Sequence, residues 1–318
     1  MVAAHLSAFL LALASVSRCI NALVEPTAVY DGGFNMTESP IRLRIATGGA
    51  GQQGLVKALA DAWIRESVGN GSEPFRVAWI LSDTTFTIKN LQSGDADVGI
   101  TYNPDAERIA GQQGIIDPKT FYLFRDHFLI AGPPEDPAKI SNIKDVDTIF
   151  ATLFQSADKN AANTTIPTRF LSRFDKSATN IKESQLWLRV GQVPWSIAYS
   201  TWYHQYIAFP LQALTAAINL KEYTLTDRAT YLSLPTELAN RTNIFKAATD
   251  ELSDPLLNPG HLLIGKKAQN ETLAYEFADW ATGCSGQNVV VGFKKNGEQL
   301  YSGAPSIDEG PAQHSKAC

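Results

Sequence analysis

Tyr223-Thr224-Leu225-Thr226-Asp227-Arg228-Ala229-Thr230-Tyr231 carries the hydroxyls of Thr224, Thr226 and Thr230, two phenols, one carboxylate and one guanidinium in a single run. Apolar residues on both sides should bury it, yet it is too polar for an ordinary core strand. Such a stretch must be solvated or be turned toward something that needs hydrogen-bond donors. Ser172-Arg173-Phe174-Asp175-Lys176-Ser177-Ala178-Thr179 has the same make-up: hydroxyls, an arginine and a nearby acid. Two clusters of one kind read as two walls of one site. With 5 histidines in the chain, no Ser–His pairing and no carboxylate pair at a recognisable spacing, this chemistry reads as binding and not as an enzyme.

A third wall requires an element that points donors the same way. Ile41-Arg42-Leu43-Arg44-Ile45 alternates apolar and basic residues, the period of a strand with one buried face. It runs into the glycine-rich Ala46-Thr47-Gly48-Gly49-Ala50-Gly51-Gln52-Gln53-Gly54 and then into a helix over Leu55 to Glu66. Strand, glycine turn and helix form the arrangement in which backbone N–H groups face an anion. The same turn also serves packing alone in many α/β proteins, and this one lacks the lysine of a nucleotide P-loop and the spacing of a dinucleotide fingerprint.

The remaining elements follow from pattern. A strand is expected at Phe75 to Ile80, then a helix from Thr85 to Gln92 capped by Ser82 or Asp83. Asp95 and Asp97 read as turn residues and strand-entry contacts ahead of a strand ending at Tyr102. Asn103 to Gly114 reads as a helix behind Pro104, and His127 to Gly132 as a strand whose histidine is structural. Pro133-Pro134-Glu135-Asp136-Pro137 marks a passage between domains. Beyond it, Ile149 to Phe154 reads as a helix end or a short strand. Helices are expected from Ile181, over Gln212 to Leu220, over part of Ile244 to Leu252 and over Thr272 to Thr282, with strands at His261 to Ile264 and Val289 to Val291. Trp195, Tyr199, Trp202, Tyr203 and Tyr206 read as core or interface filling, with a ligand platform as the alternative.

At 44% hydrophobic and 19% charged residues the chain is globular, with length for two domains. A net charge of -5 without a basic run argues against nucleic acid and anionic membrane. Residues 1–22 read as a secretory signal, because the apolar run Ala8 to Val16 is too short to cross a bilayer. No later segment reads as a membrane span. Sequons at Asn35, Asn70, Asn163, Asn240 and Asn270 predict surface glycans. Cys19 leaves with the signal, so Cys284 and Cys318 are expected to pair in an oxidising compartment. The expected product is a secreted, extracellular monomer without a cofactor.

The order and spacing of several motifs carry a resemblance that covers Ile41 to Gly303. They are Gly54-Leu55, Gly94-Asp95-Ala96-Asp97-Val98, Asp126-His127-Phe128-Leu129-Ile130-Ala131-Gly132-Pro133, the Ser172 cluster with Lys182-Glu183 after it, and above all Tyr223 to Tyr231. The chain resembles the substrate-binding proteins of bacterial tungstate ABC transporters. The resemblance implies an α/β, two-lobed type 2 periplasmic-binding-protein fold with two crossover strands, near Asp126 to Gly132 and near Tyr223 to Tyr231. Lobe one would comprise residues 41–126 plus 232–303, lobe two residues 127–231, and residues 304–318 a C-terminal tail.

It further implies a small oxyanion, tungstate or molybdate, held between the lobes. Thr47, Gly48 and Gly49, with Thr84 and Thr85, would form one wall and Arg173, Ser177 and Thr179 the other. Thr226 and Arg228 would sit at the hinge, Arg228 either on the ligand or bridged to Asp227. A fully deprotonated dianion offers only acceptors, so a donor-only lining would reject phosphate, which keeps a proton. Asp175 and Asp227 are expected to orient the arginines. Two departures weaken tungstate selectivity more than anion binding: the family's Thr-Thr-Thr-Ser run reads Ala46-Thr47-Gly48-Gly49 here, and Phe174 stands where the family has glycine. With its sequons the chain reads as a secreted fungal relative, for which no importer is implied. The alternatives are another small anion or organic acid, or a surface or interaction protein that has lost its ligand.

Overall fold

The computed structural model describes residues 23–159 and 165–305. The expected signal segment, the sequon at Asn163 and the proposed disulfide partner Cys318 lie outside them.

The chain enters through β1 (Ala28–Tyr30) and β2 (Ile41–Thr47) and turns through the short α1 (Gly49–Gln52) into α2 (Leu55–Gly69). The strand-to-helix step repeats in β3 (Arg76–Leu81), α3 (Thr84–Ser93), β4 (Val98–Thr101) and α4 (Pro104–Gln112). β2 is parallel to both β3 and β4, which places the β2–α1 and β3–α3 turns at the same end of the sheet. Leu43 and Ile45 are fully buried as the alternation predicts, but Arg44 is buried as well. Its guanidinium is satisfied by the carbonyls of Val24 and Asp95, and its N–H by Asp97. Asp97 also accepts from the N–H of Gln269 at 2.6 Å, the strand-entry role read from the sequence.

β5 (Phe121–Gly132) joins the two lobes. Its first half pairs antiparallel with β10 (Leu257–Ile264), and its second half pairs antiparallel with β8 (Tyr223–Asp227). Between these partners the chain builds lobe two from α5 (Val146–Asp158), β6 (Phe170–Ser172), α6 (Ala178–Arg189), β7 (Tyr203–Gln205) and α7 (Pro210–Leu220), with β6 parallel to β7 and β8. Its core is aromatic: Trp187 meets Phe150 at 4.6 Å and Phe170 at 5.2 Å between ring centroids, and Trp202 and Tyr203 close the cluster. The core reading of Trp202 and Tyr203 is therefore the one the fold adopts, while Tyr199 stands exposed.

After β8 come α8 (Arg228–Leu232), α9 (Thr236–Ala239) and β9 (Asn243–Ala247). The partial helix expected over Ile244 to Leu252 is thus a strand, registered against Leu129 to Gly132. Its sequence lies within the piece assigned to lobe one, yet Phe245 packs into the core of lobe two. The chain then closes lobe one through β10, α10 (Glu271–Thr282), α11 (Cys284–Gly292), the hairpin β11 (Lys294–Lys295) and β12 (Glu298–Gln299), and β13 (Ser302–Gly303) beside β5. Val289 to Val291, expected as a strand on β propensity, is helical because α11 packs on α10. There Gly286 meets the backbone of Ala281 and Val290 is fully buried, so tertiary packing overrides propensity.

No helix among the described residues is long and apolar enough to cross a membrane. Asn35, Asn70 and Asn240 are exposed, and the Asn270 side-chain Oδ1 caps α10 by accepting from Leu273 N–H at 3.1 Å.

Candidate functional site

A cleft of about 530 Å³ lies between the lobes. Its lobe-one wall contains Gly48, Gly49, Ser82, Asp83, Thr84 and Tyr102, and its lobe-two wall contains Arg173, Asp175, Lys176, Ser177, Ala178, Thr179 and the segment Ile207 to Pro210. Asp126 and Phe128 of β5, Asn258 of β10, and Asp227 and Thr230 at the start of α8 lie along the hinge.

The starts of α3, α6 and α7 all reach this cleft, at Asp83 and Thr84, at Ser177 and Ala178, and at Phe209 and Pro210. Asp83 caps α3 by accepting from Phe86 N–H at 2.8 Å, and Ser177 caps α6 by accepting from Asn180 N–H at 3.4 Å. α7 begins without a side-chain cap among the described residues, as does α1 beside Gly48. The starts of α3, α6 and α7 carry partial positive charge; Pro210 at the head of α7 has no N–H, and the Ala50 N–H of α1 is taken by the Tyr102 hydroxyl at 3.1 Å. A Cβ on Gly48 would lie 2.6 Å from the Ser82 carbonyl oxygen, so the approach of these two turns requires glycine.

Arg173 lies with its guanidinium at the cleft. It pairs with Asp175, donates to Thr179 Oγ1 at 3.4 Å and to the Ala208 carbonyl at 3.4 Å, and so ties α6 to the lip at Ile207 to Pro210. The expectation that Asp175 orients its arginine holds in this geometry. Asp175 also accepts from Ser177 N–H at 3.0 Å, which fixes the turn into α6. Phe174 adopts φ 41°, the left-handed region that favours glycine.

Several expected ligand residues are placed elsewhere. Thr47 is fully buried and donates its hydroxyl to the Ile100 carbonyl at 3.0 Å, so it serves the sheet and does not line the cleft. Thr85, in the first turn of α3, is exposed and does not line the cleft, whereas its neighbour Thr84 lines the wall. Thr226 is buried opposite Leu129 and does not reach the cavity. Arg228 lines a separate cavity of about 190 Å³ with Asp250 and Ser302. Asp227 does not bridge to Arg228 among the described contacts. It caps α8 instead, accepting from Thr230 N–H at 2.8 Å and from Thr230 Oγ1 at 2.6 Å.

The polar run that stood out in the sequence is therefore mostly spent within the fold. Tyr223 donates to Asp136 at 2.7 Å and Thr224 to the Leu171 carbonyl at 2.8 Å, leaving Asp227 and Thr230 at the cleft. Tyr102, Asp126, Asn258 and Tyr301 reach the cleft without having been singled out for it. The motif around Asp126 was visible, but Asn258 and Tyr301 carry no local signal and arrive only through the pairing of β10 and β13 with β5.

Asp126 is 7% exposed. Burial, then the negative charge of Asp227, pushes its carboxyl up to about 7, while hydrogen bonds from Asn258 and the His127 N–H pull the other way. Burial also raises the phenols of Tyr102 and Tyr301, so both stay protonated at neutral pH. His127, read as structural, contacts Asp250 at 2.8 Å. No group of three or more His, Cys, Asp or Glu among the described residues is arranged to hold a metal ion.

Comparison with known proteins places this geometry among others. The PBP superfamily domain matches residues 35–284. A crystal structure of a periplasmic protein, provisionally described as metal-binding, is 55% identical, with a TM-score of 0.82 over 88% of this chain and 99% of that one. A protein of Haloferax volcanii, provisionally described as an ABC transporter anion-binding protein, is 30% identical over 71% of this chain. The chain spans 63% of that relative's length. The tungstate-binding protein TupA of Campylobacter jejuni is 29% identical over 78% of this chain and 85% of its own.

Proposed function

The chain belongs to the PBP superfamily domain family, and on that premise we propose that it is a non-catalytic binding protein that closes its lobes over a small oxyanion, tungstate or molybdate in the first instance. The observation that carries the reading is the convergence of the starts of α3, α6 and α7 with Arg173 on one cleft. Backbone N–H groups, hydroxyls and a guanidinium are the donors that an acceptor-only ligand needs. Relatives described as tungstate- or anion-binding support the ligand class.

In this reading Gly48, Gly49 and Thr84 form the lobe-one wall, and Arg173, Ser177 and Thr179 the opposite one. Thr47, Thr85, Thr226 and Arg228 leave the ligand set. Isothermal titration of the deglycosylated protein with tungstate, molybdate, sulfate and phosphate tests it. Saturable binding of tungstate or molybdate supports the assignment, and silence with all four overturns it.

Secretion belongs to the same proposal. A leader cleaved after Ala22, glycans at the sequons and a bridge between Cys284 and Cys318 are checked together on material from culture medium, by N-terminal sequencing, enzymatic deglycosylation and non-reducing peptide mapping. An uncleaved, unglycosylated chain would end the extracellular reading and leave the anion reading untouched.

A further inference from the structure

An anion cleft with a buried carboxylate on its hinge poses a conflict that the donors alone do not resolve. Asp126 Oδ1 accepts from His127 N–H at 2.8 Å and Oδ2 from Asn258 Nδ2 at 3.0 Å, and the residue lines the cavity. The groups that face it come from every neighbouring element: Asp227 from the end of β8, the phenols of Tyr102 and Tyr301, and His127 on its own strand. Across the cleft stand the Arg173–Asp175 pair and Lys176.

The strand register holds these groups in place. Asp126 lies opposite Asn258 of β10, and Asp227 of β8 lies opposite Phe128, two residues further along β5, so one strand carries both pairings. Asp227 accepts from both the N–H and the hydroxyl of Thr230. No cation bonds to Asp126 among the described residues: Arg125, next to it, turns to the carbonyls of Gly303 and Asp250. A dianion entering this cleft would meet Asp126 and Asp227 along the hinge, besides Asp83, which caps α3, and Asp175, which is paired with Arg173.

We propose that Asp126 takes up one proton as the cleft binds a fully deprotonated oxyanion, and that the resulting carboxylic O–H donates to an oxygen of that anion. The proton comes from solvent, no other bond is made or broken, and an acceptor in the empty cleft becomes a donor in the filled one. This inference rests on the anion reading and adds a residue that contacts the ligand and sets its pH dependence. The raised proton affinity of Asp126 in the empty protein means that the uptake asks for a small further shift. A ligand that keeps its own proton would instead give that proton to ionised Asp126 in a hydrogen bond, so the two ligand classes respond to pH in opposite senses.

The test is titration of the whole protein with molybdate from about pH 6 to about pH 9, in buffers of different ionisation enthalpy, with Asp126→Asn alongside. Wild-type affinity should fall by about tenfold per pH unit above neutrality, with uptake approaching one proton per anion. Asp126→Asn should show no uptake and a flat profile. Asp227→Asn, which keeps a capping oxygen for α8, should move the wild-type break to lower pH, and it serves as the second variant should Asp126→Asn fold poorly. A flat wild-type profile without proton uptake overturns the coupling while leaving anion binding standing. Wild type that binds no anion at any pH overturns the anion reading and the coupling with it.

Discussion

Tyr203 donates its phenol to Glu183 Oε1 at 2.7 Å, which places an acid that is 1% exposed inside the aromatic core of lobe two. Burial pushes the Glu183 carboxyl up to about 7. Its folded state therefore binds a proton more tightly than the unfolded state, and stability is lost as pH rises from the unfolded value of 4.5 through about 7. Glu183→Gln keeps an oxygen for Tyr203 and removes the ionisation. Urea denaturation should show the variant gaining on wild type between those two pH values, by at most about 3 kcal/mol. A constant difference would mean that Glu183 is already ionised in the fold.

Arg173→Ala removes the guanidinium that faces the cleft and leaves Asp175 without its cationic partner. Oxyanion affinity should fall by about tenfold or more, because a charge-assisted donor is lost and an unpaired carboxylate remains beside the ligand. Retention of full affinity in titration calorimetry would remove Arg173 from the ligand set.

Thr47→Val separates the two roles offered for this residue. Its hydroxyl is bonded to the Ile100 carbonyl, and Thr47 itself does not line the cavity. Stability should fall by about 1–2 kcal/mol, with oxyanion affinity within about twofold of wild type. The complementary change, Thr84→Val, should weaken binding and cost little stability.

Gly51→Ala would place a Cβ 2.1 Å from the Trp79 ring, whose Nε1 donates to the Thr47 carbonyl at 3.0 Å. The indole must move, and with it the end of β2 that feeds Gly48 and Gly49. Thermal denaturation should show a loss of about 1–3 kcal/mol, and the variant should bind oxyanion more weakly than wild type.

The strands and helices of lobe one were legible because each carries its period: Leu43 and Ile45 on one strand face, Leu55, Leu59 and Trp63 on one helix face. Where the reading slipped, long-range packing had overridden a local preference. Val289 to Val291 has the composition of a strand and is helical against α10, and Ile244 sits in a strand because β5 offers an edge there. The polar run at Tyr223 to Tyr231 was correctly singled out as buried and polar, but its hydroxyls mostly answer carbonyls and carboxylates of the fold.

The sequence alone determined what kinds of groups the protein has and how each segment is built. A strand, a glycine turn and a helix follow from the order of residues over a few positions, and capping of α3 by Asp83 follows from side-chain reach of three residues. Only the tertiary structure decided which donors share a cavity. Gly48 and Ser177, 129 positions apart, line one cleft, and Asp126 accepts from Asn258 across 132 positions of chain, through lobe apposition and sheet pairing. The same long-range register that assembles the donors puts Asp126 beside Asp227, and no local pattern encodes the proton affinity that this proximity and burial create.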